Sequence, residues 1–397
     1  MPQTVSDSTV QTSPAPATPY KSILRTFAVR FCVAVTLGVA LLALVELYSY
    51  WRYRPPAQDA MEPGVEMDSA HTGSSALREY KKEFAEANKV IYHQYVLWRR
   101  APYQGEMLAI DQEGVRRTLH TRCDDKTFTI WVFGDSVMWS AGAPDEASIP
   151  SLVAQDYEKA GKPVCIVNYA EKGWSNTQEM VGLIEYLKHA TRKPDIVLFY
   201  DGGTEAFAAY QNGHADVHSN YNQFRNFLDN WGGAHKAGFS YFRETNTYHF
   251  LEQIGIKAPL HHKEKKKLAL DTETLPAEVV ANYEQNMTLI GLLAKQYGFR
   301  PVYAWYPNLA VGHKQLTPSE QQVLSAEYKK FPDLGLMYQA VYAKGREVKS
   351  PDFYYLGDAL DDQKSSLYVG ISHLNAEGDQ IVADRLFDIL EHRQTNP

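Results

Sequence analysis

From Thr127 onward the chain alternates short apolar runs with segments of helical period. Thr127–Phe133, Val164–Tyr169, Ile196–Tyr200 and Val302–Tyr306 are runs rich in β-branched and aromatic residues, the pattern of strands covered on both faces. The helices between them carry clear punctuation. One opens at Ser148 with Pro150 in its first turn and stops at Gly161; a second opens on the capping box Ser175-x-x-Gln178; a third runs from Ala277 to Tyr297 and stops at Gly298. A helix is also predicted around Pro318 to Lys329, and a short fifth strand at Leu367 to Val369. In the last helix Asn375 is the N-cap, and Ile381, Val382, Leu386, Phe387 and Leu390 line one face. Repeated strand–helix units predict a three-layer α/β/α sandwich around a mainly parallel five-stranded sheet.

The repeat is interrupted at about 207–275, a stretch rich in Asn, His, Tyr and Lys. It is predicted as an insertion, mostly helical or irregular. Its His261-His262 and the charges up to Lys267 read as a solvated face, because adjacent histidines lack metal-ligand spacing.

The N-terminal part has a different pattern. Residues 1–26 are expected to be a disordered cytoplasmic tail, with Lys21 and Arg25 just before the apolar stretch. Residues 27–50 are long and apolar enough for one transmembrane helix, with Tyr48, Tyr50, Trp51 and Tyr53 as an aromatic belt. A cleaved signal peptide fits less well, since no small-x-small site follows the apolar run. Residues 51–75 read as a flexible linker and 76–125 as a helical and loop lead-in, with a helix predicted from Ala76 to about Arg99. Basic residues ahead of the span favour a cytoplasmic N-terminus. The domain at 126–397 is then expected outside the cytoplasm, on the periplasmic side of a bacterial inner membrane.

Composition narrows the function classes. Hydrophobic residues at 44% and charged residues at 22% predict a folded core, and a net charge of -7 without a basic stripe excludes a nucleic-acid partner. There are three cysteines, Cys32, Cys123 and Cys165, with no metal-ligand spacing. Cys123 and Cys165 are read as two free, partly buried thiols in preference to a disulfide. No metal or cofactor is expected.

The candidate chemistry lies just beyond the strand ends, where ligands bind in open parallel sheets. Gly134-Asp135-Ser136 follows the first strand, Gly173 the second and Gly202-Gly203-Thr204-Glu205 the third; Ser372-His373-Leu374-Asn375-Ala376-Glu377-Gly378 precedes the last helix. A serine hydroxyl becomes nucleophilic when a base removes its proton, and histidine titrates near neutral pH. These four blocks, in this order between Lys126 and Leu390, resemble the SGNH (GDSL-type) hydrolases. The resemblance implies Ser136 as nucleophile, His373 as general base, and an oxyanion hole formed by the N–H groups of Ser136 and Gly173 and the side chain at position 204.

This chain departs from the family pattern at two positions. Thr204 stands where the family has asparagine, and Gly370 where it has an aspartate three residues before the histidine. Asp361 is the candidate orienter of His373, with Asp358 and Asp362 nearby. Trp139, Trp174 and Trp305 are candidate substrate-binding residues at the rim, suited to sugar rings or acyl chains. The expected function is a membrane-anchored serine esterase that removes acyl groups, acetyl among them, from an envelope glycan or a small ester. Acyl transfer to a sugar hydroxyl, and a glycan-binding protein that kept the fold without the chemistry, are the alternatives.

Overall fold

A computed structural model describes residues 19–52, 74–229, 245–254 and 270–395. The chain forms two compact units, a smaller one from residues 1–55 with 230–262 and a larger one from the remainder. The smaller unit begins with α1 (Pro19–Arg52). Within it Leu24–Arg52 is long and apolar enough to cross a membrane, with an 18-residue window of mean hydropathy 2.4 in which no residue is buried. The upstream tail to residue 18, most of the predicted linker and the His261-His262 charge run fall outside the described residues.

The larger unit opens with α2 (Ser74–Ala87), which buries Tyr80 and Phe84. The predicted continuation of this helix to Arg99 is incorrect. Instead β1 (Val90–His93) and β2 (Leu97–Arg100) form an antiparallel hairpin, with Tyr92 opposite Trp98. Ile91 and Tyr95 had suggested a helical apolar face, but both side chains are exposed. β3 (Tyr103–Gln104) and β4 (Ala109–Ile110) form a second short antiparallel pair.

The parallel sheet starts at β5 (Phe128–Gly134), followed by α3 (Ile149–Lys159), β6 (Val164–Asn168), α4 (Asn176–His189), β7 (Ile196–Asp201), α5 (Gly203–Asn212) and α6 (Tyr221–Asp229). Ser148 caps α3, accepting from Ser151 N, and Gln178 completes the capping box of α4. These local bonds satisfy N–H groups that a helix start leaves open.

In the smaller unit α7 (Asn246–Gln253) packs on α1. The Glu46 carboxylate accepts from the backbone N of Asn246 at 2.6 Å and of Thr247 at 3.0 Å, and so caps α7 from the side of α1. Tyr48 meets Phe250 edge-on.

The larger unit resumes with α8 (Thr274–Tyr297), β8 (Arg300–Trp305), α9 (Pro318–Lys330), α10 (Leu334–Gly345), β9 (Phe353–Tyr355) and α11 (Ala376–Thr395). The sheet order is β6-β5-β7-β8-β9 and every neighbouring pair is parallel. Helices α3 and α11 pack together, while α4, α5, α8 and α10 form the other group, giving the three-layer α/β/α architecture. The fifth strand is Phe353–Tyr355 rather than Leu367–Val369. Residues 367–369 make only an isolated bridge, Tyr368 to Leu374, within the loop that carries His373. β9 escaped the sequence pattern because it is short and only half-buried.

Cys123 and Cys165 are joined in a disulfide, which corrects the free-thiol expectation. The segment before Cys123 runs along β6: Arg122 N donates to Val164 O, and Ile166 N donates to Thr121 Oγ1. That pairing brings the two Cα atoms to 4.7 Å, within bridging range.

Candidate active site

The strand ends of β5, β6 and β7 and the loop before α11 meet at the carboxyl edge of the sheet. Gly134 ends β5 at φ 152°, and a Cβ there would stand 2.7 Å from both Met138 Cβ and Tyr200 O. Only glycine allows the sharp exit that presents Ser136. Gly173, beyond β6, has φ 77°, a left-handed turn that again favours glycine.

The His373 loop is fixed from several directions. Val369 N and Gly370 N both donate to His373 O, and Asn375 N donates to Leu367 O. Asn308 Nδ2 donates to Ser372 Oγ at 2.9 Å. From α9, Glu320 accepts from Leu367 N at 3.0 Å and Tyr368 N at 3.3 Å.

This scaffold places His373 Nε2 at 3.1 Å from Ser136 Oγ, although the two residues are 237 positions apart. The distance is that of a hydrogen bond, and both residues line a cleft of about 340 Å³ with Gly173 and Thr204. Among the described residues, neither Ser136 N nor Gly173 N donates to a protein acceptor. A Ser–His pair beside two open N–H donors can form a covalent acyl intermediate and hold the oxyanion on the way to it.

Other predicted site residues sit differently. Thr204 lines the cleft, but its hydroxyl donates to Asp135 Oδ2 at 2.5 Å, so its one hydrogen is already committed. Asp361 is outside the cleft lining; its carboxylate accepts from His313 N at 2.8 Å. Asp358 pairs with Arg346 at 3.1 Å. The three tryptophans form no rim. Trp139, Trp174 and Trp305 are 1%, 0% and 0% exposed. Trp139 packs under the Arg116 guanidinium, Trp174 under that of Arg99, and Trp305 against Tyr283 and Tyr342. Their place near strand ends in sequence was no guide, because the adjoining helices and lead-in cover those ends.

Behind the cleft lies a group of acids that sequence reasoning missed. Asp135 accepts from Val137 N, the Thr204 hydroxyl and the Tyr306 hydroxyl. Asp201 accepts from Asn176 Nδ2 at 3.0 Å and Tyr283 OH at 2.7 Å. Glu205 accepts from Asn176 N and Gly202 N, both at 2.9 Å, and so ties the loop after β6 to the loop after β7. Glu179 and Asp201 are buried side by side, and neither Glu179 oxygen nor Asp201 Oδ1 has a donor. A proton held by the pair would reconcile these acceptors, as in other carboxyl pairs. Burial first, then the neighbouring acids, pushes Glu179 and Asp201 well above the usual carboxylate range. Burial, with the charge of Asp135 adding to it, raises Glu205 to about 7. The available signal was an acid at the end of an apolar strand, as at Asp135 and Asp201.

Fold and site together define a doubly covered parallel α/β unit with a serine–histidine pair at its carboxyl edge. No protein-family model matches the chain, and no curated protein matches it. Among solved structures, the chain is similar to the psychrotrophic esterase EstA from Pseudoalteromonas sp. (12% identity, 68% of this chain and 100% of that one, TM-score 0.34). It is also similar to a member of the lipolytic G-D-S-L family from Veillonella parvula (13%, 66% and 98%, 0.33) and to a GDSL-like lipase from Bacteroides thetaiotaomicron (12%, 69% and 92%, 0.31). Likeness this distant carries no argument about chemistry, which rests on the chain's own residues.

Proposed function

We propose that the larger unit is an SGNH-type serine esterase. The observation that carries this reading is the 3.1 Å approach of His373 Nε2 to Ser136 Oγ inside the cleft. As Ser136 Oγ attacks the ester carbonyl, His373 Nε2 takes its proton. The tetrahedral oxyanion is held by the N–H groups of Ser136 and Gly173, and the imidazolium returns the proton to the departing alkoxide. Water then attacks the acyl-serine with His373 again as base, releasing the acid and restoring the hydroxyl. Each fixed oxyanion donor is worth about 2.7–4 kcal/mol in comparable sites. The two backbone donors suffice for this scheme without the Thr204 side chain.

The apolar helix α1 is read as the anchor, with the larger unit outside the cytoplasm. The Cys123–Cys165 disulfide supports that orientation, since such bonds persist in oxidising compartments. The reaction is tested with a fluorophosphonate probe and short-chain nitrophenyl esters. Wild type labels at Ser136 and turns the esters over; Ser136→Ala does neither while keeping its melting temperature. Turnover by a well-folded Ser136→Ala variant would end this reading.

A further inference from the structure

Two glutamates of the single helix α9 are treated in opposite ways. Glu320, in the first turn, is fully buried and receives Lys314 Nζ, Thr317 N and the Leu367 and Tyr368 amides. Its negative charge also suits the positive end of the helix. Glu327 stands in the last turn, where the helix dipole opposes a negative charge. It is only 8% exposed, and among the described residues its carboxylate receives no hydrogen bond and forms no salt bridge; burial raises its pKa, opposed by the charge of Lys330 three residues on. A buried carboxyl without donors is costly, and this one lines the cleft with Ser136 and His373. Its oxygens are not sealed off from solvent, unlike those of Glu179. Tyr338 is on the same wall, and burial first, then the charges of Glu327 and Asp135, raises the pKa of its hydroxyl.

We propose that Glu327 is the specificity-determining residue of the cleft, accepting a hydrogen bond from a neutral hydroxyl on the alcohol portion of the ester substrate. The proposal rests on the esterase reading and names its substrate class: esters of polyhydroxylated alcohols such as sugars. A cationic alcohol is disfavoured by Lys330, one helical turn away and also on the cleft wall. The remaining wall suits an alcohol with both faces and edges. Phe207 and Phe331 meet edge-on at 5.3 Å and supply an apolar surface. Gln211 and Asn220 bond each other, whereas the Glu327 carboxylate receives no hydrogen bond among the described residues.

The test compares two esters of matched ring size, a monoacetylated methyl glucoside and cyclohexyl acetate, on the full-length protein. The readout is the ratio of their kcat/KM values. Wild type should favour the glucoside ester. Glu327→Ala should lower the ratio about tenfold, mainly through KM, and Glu327→Gln should fall between, because its amide oxygen still accepts. A ratio that stays at the wild-type value in both variants overturns the proposal, whether turnover falls on both esters together or on neither. Glu327→Gln preserves size and removes charge, so it covers the case in which Glu327→Ala does not fold. Wild-type protein that is unlabelled by fluorophosphonate and inert on both esters would instead sink the esterase reading itself.

Discussion

Two regions of the larger unit bury groups of carboxylates and accommodate them by different means. Under the lead-in strands, Asp145 is met by Arg116 Nε at 2.9 Å and Arg117 Nε at 2.8 Å, and Glu171 lies between Arg99 and Arg100. Arg116 also donates to the carbonyls of Trp139, Ser140 and Ala143, so charge and hydrogen bonds are both satisfied. Behind the cleft, Glu179, Asp201 and Glu205 face amides, hydroxyls and one another, and among the described residues none of them forms a salt bridge. The first arrangement locks the lead-in against the β5 turn. The second holds the loops after β6 and β7 in register while making them sensitive to proton concentration. Buried acids paired with guanidinium act as fixed struts, whereas burial beside other acids raises a carboxyl's pKa and favours its protonated form.

The largest effect is expected where a strut loses its cation. Arg116→Ala leaves Asp145 buried with Arg117 alone and strands three carbonyls, so unfolding in urea should show a loss of about 3–5 kcal/mol. A loss below about 1 kcal/mol would mean that the guanidinium is no strut, and the contrast would fail.

Next comes the pH dependence behind the cleft. Glu205 is raised from 4.5 to about 7, so between those values the native state binds more protons than the unfolded chain. Stability from this group is therefore greatest below pH 4.5 and declines as pH rises towards 7, with Glu179 and Asp201 acting in the same direction. The melting temperature should be higher at pH 5.5 than at pH 8. Asp201→Asn should flatten that slope and raise stability at pH 8, because its amide can donate to Glu179 while its oxygen keeps Asn176 and Tyr283 as donors. A slope unchanged in Asp201→Asn would show that the pair does not share a proton.

The smallest effects concern the link between the acids and the β5 turn that carries Ser136. Tyr306→Phe removes one donor from Asp135 and should lower stability by about 1–2 kcal/mol. Thr204→Val removes another, and kcat on a nitrophenyl ester should fall less than tenfold. A loss of more than a hundredfold would mean that the threonine hydroxyl leaves Asp135 and joins the oxyanion hole during the reaction.

Local pattern alone determined the alternation of strand and helix, because it depends on side chains close in sequence. The apolar runs that became β5, β6, β7 and β8 had no polar face to offer water, so they had to be covered on both sides. Ser148 and Ser175 lie within four residues of the amides they serve, and the apolar stretch within α1 is continuous. What depended on distant partners was not legible. Residues 90–100 carry apolar spacing that suits a helix or a hairpin, and pairing of Val90 with Arg100 decided for the hairpin. Cys123 meets Cys165 only because its segment aligns on β6. The tryptophans near strand ends were buried by helices and guanidinium groups that arrive from elsewhere in the chain. The 3.1 Å approach of Ser136 to His373, the donorless oxygens of Glu179 and Asp201 and the donorless carboxyl of Glu327 likewise exist only once the sheet has closed. Hydrogen-bond satisfaction is a property of the assembled neighbourhood, and no residue's own sequence context contains it.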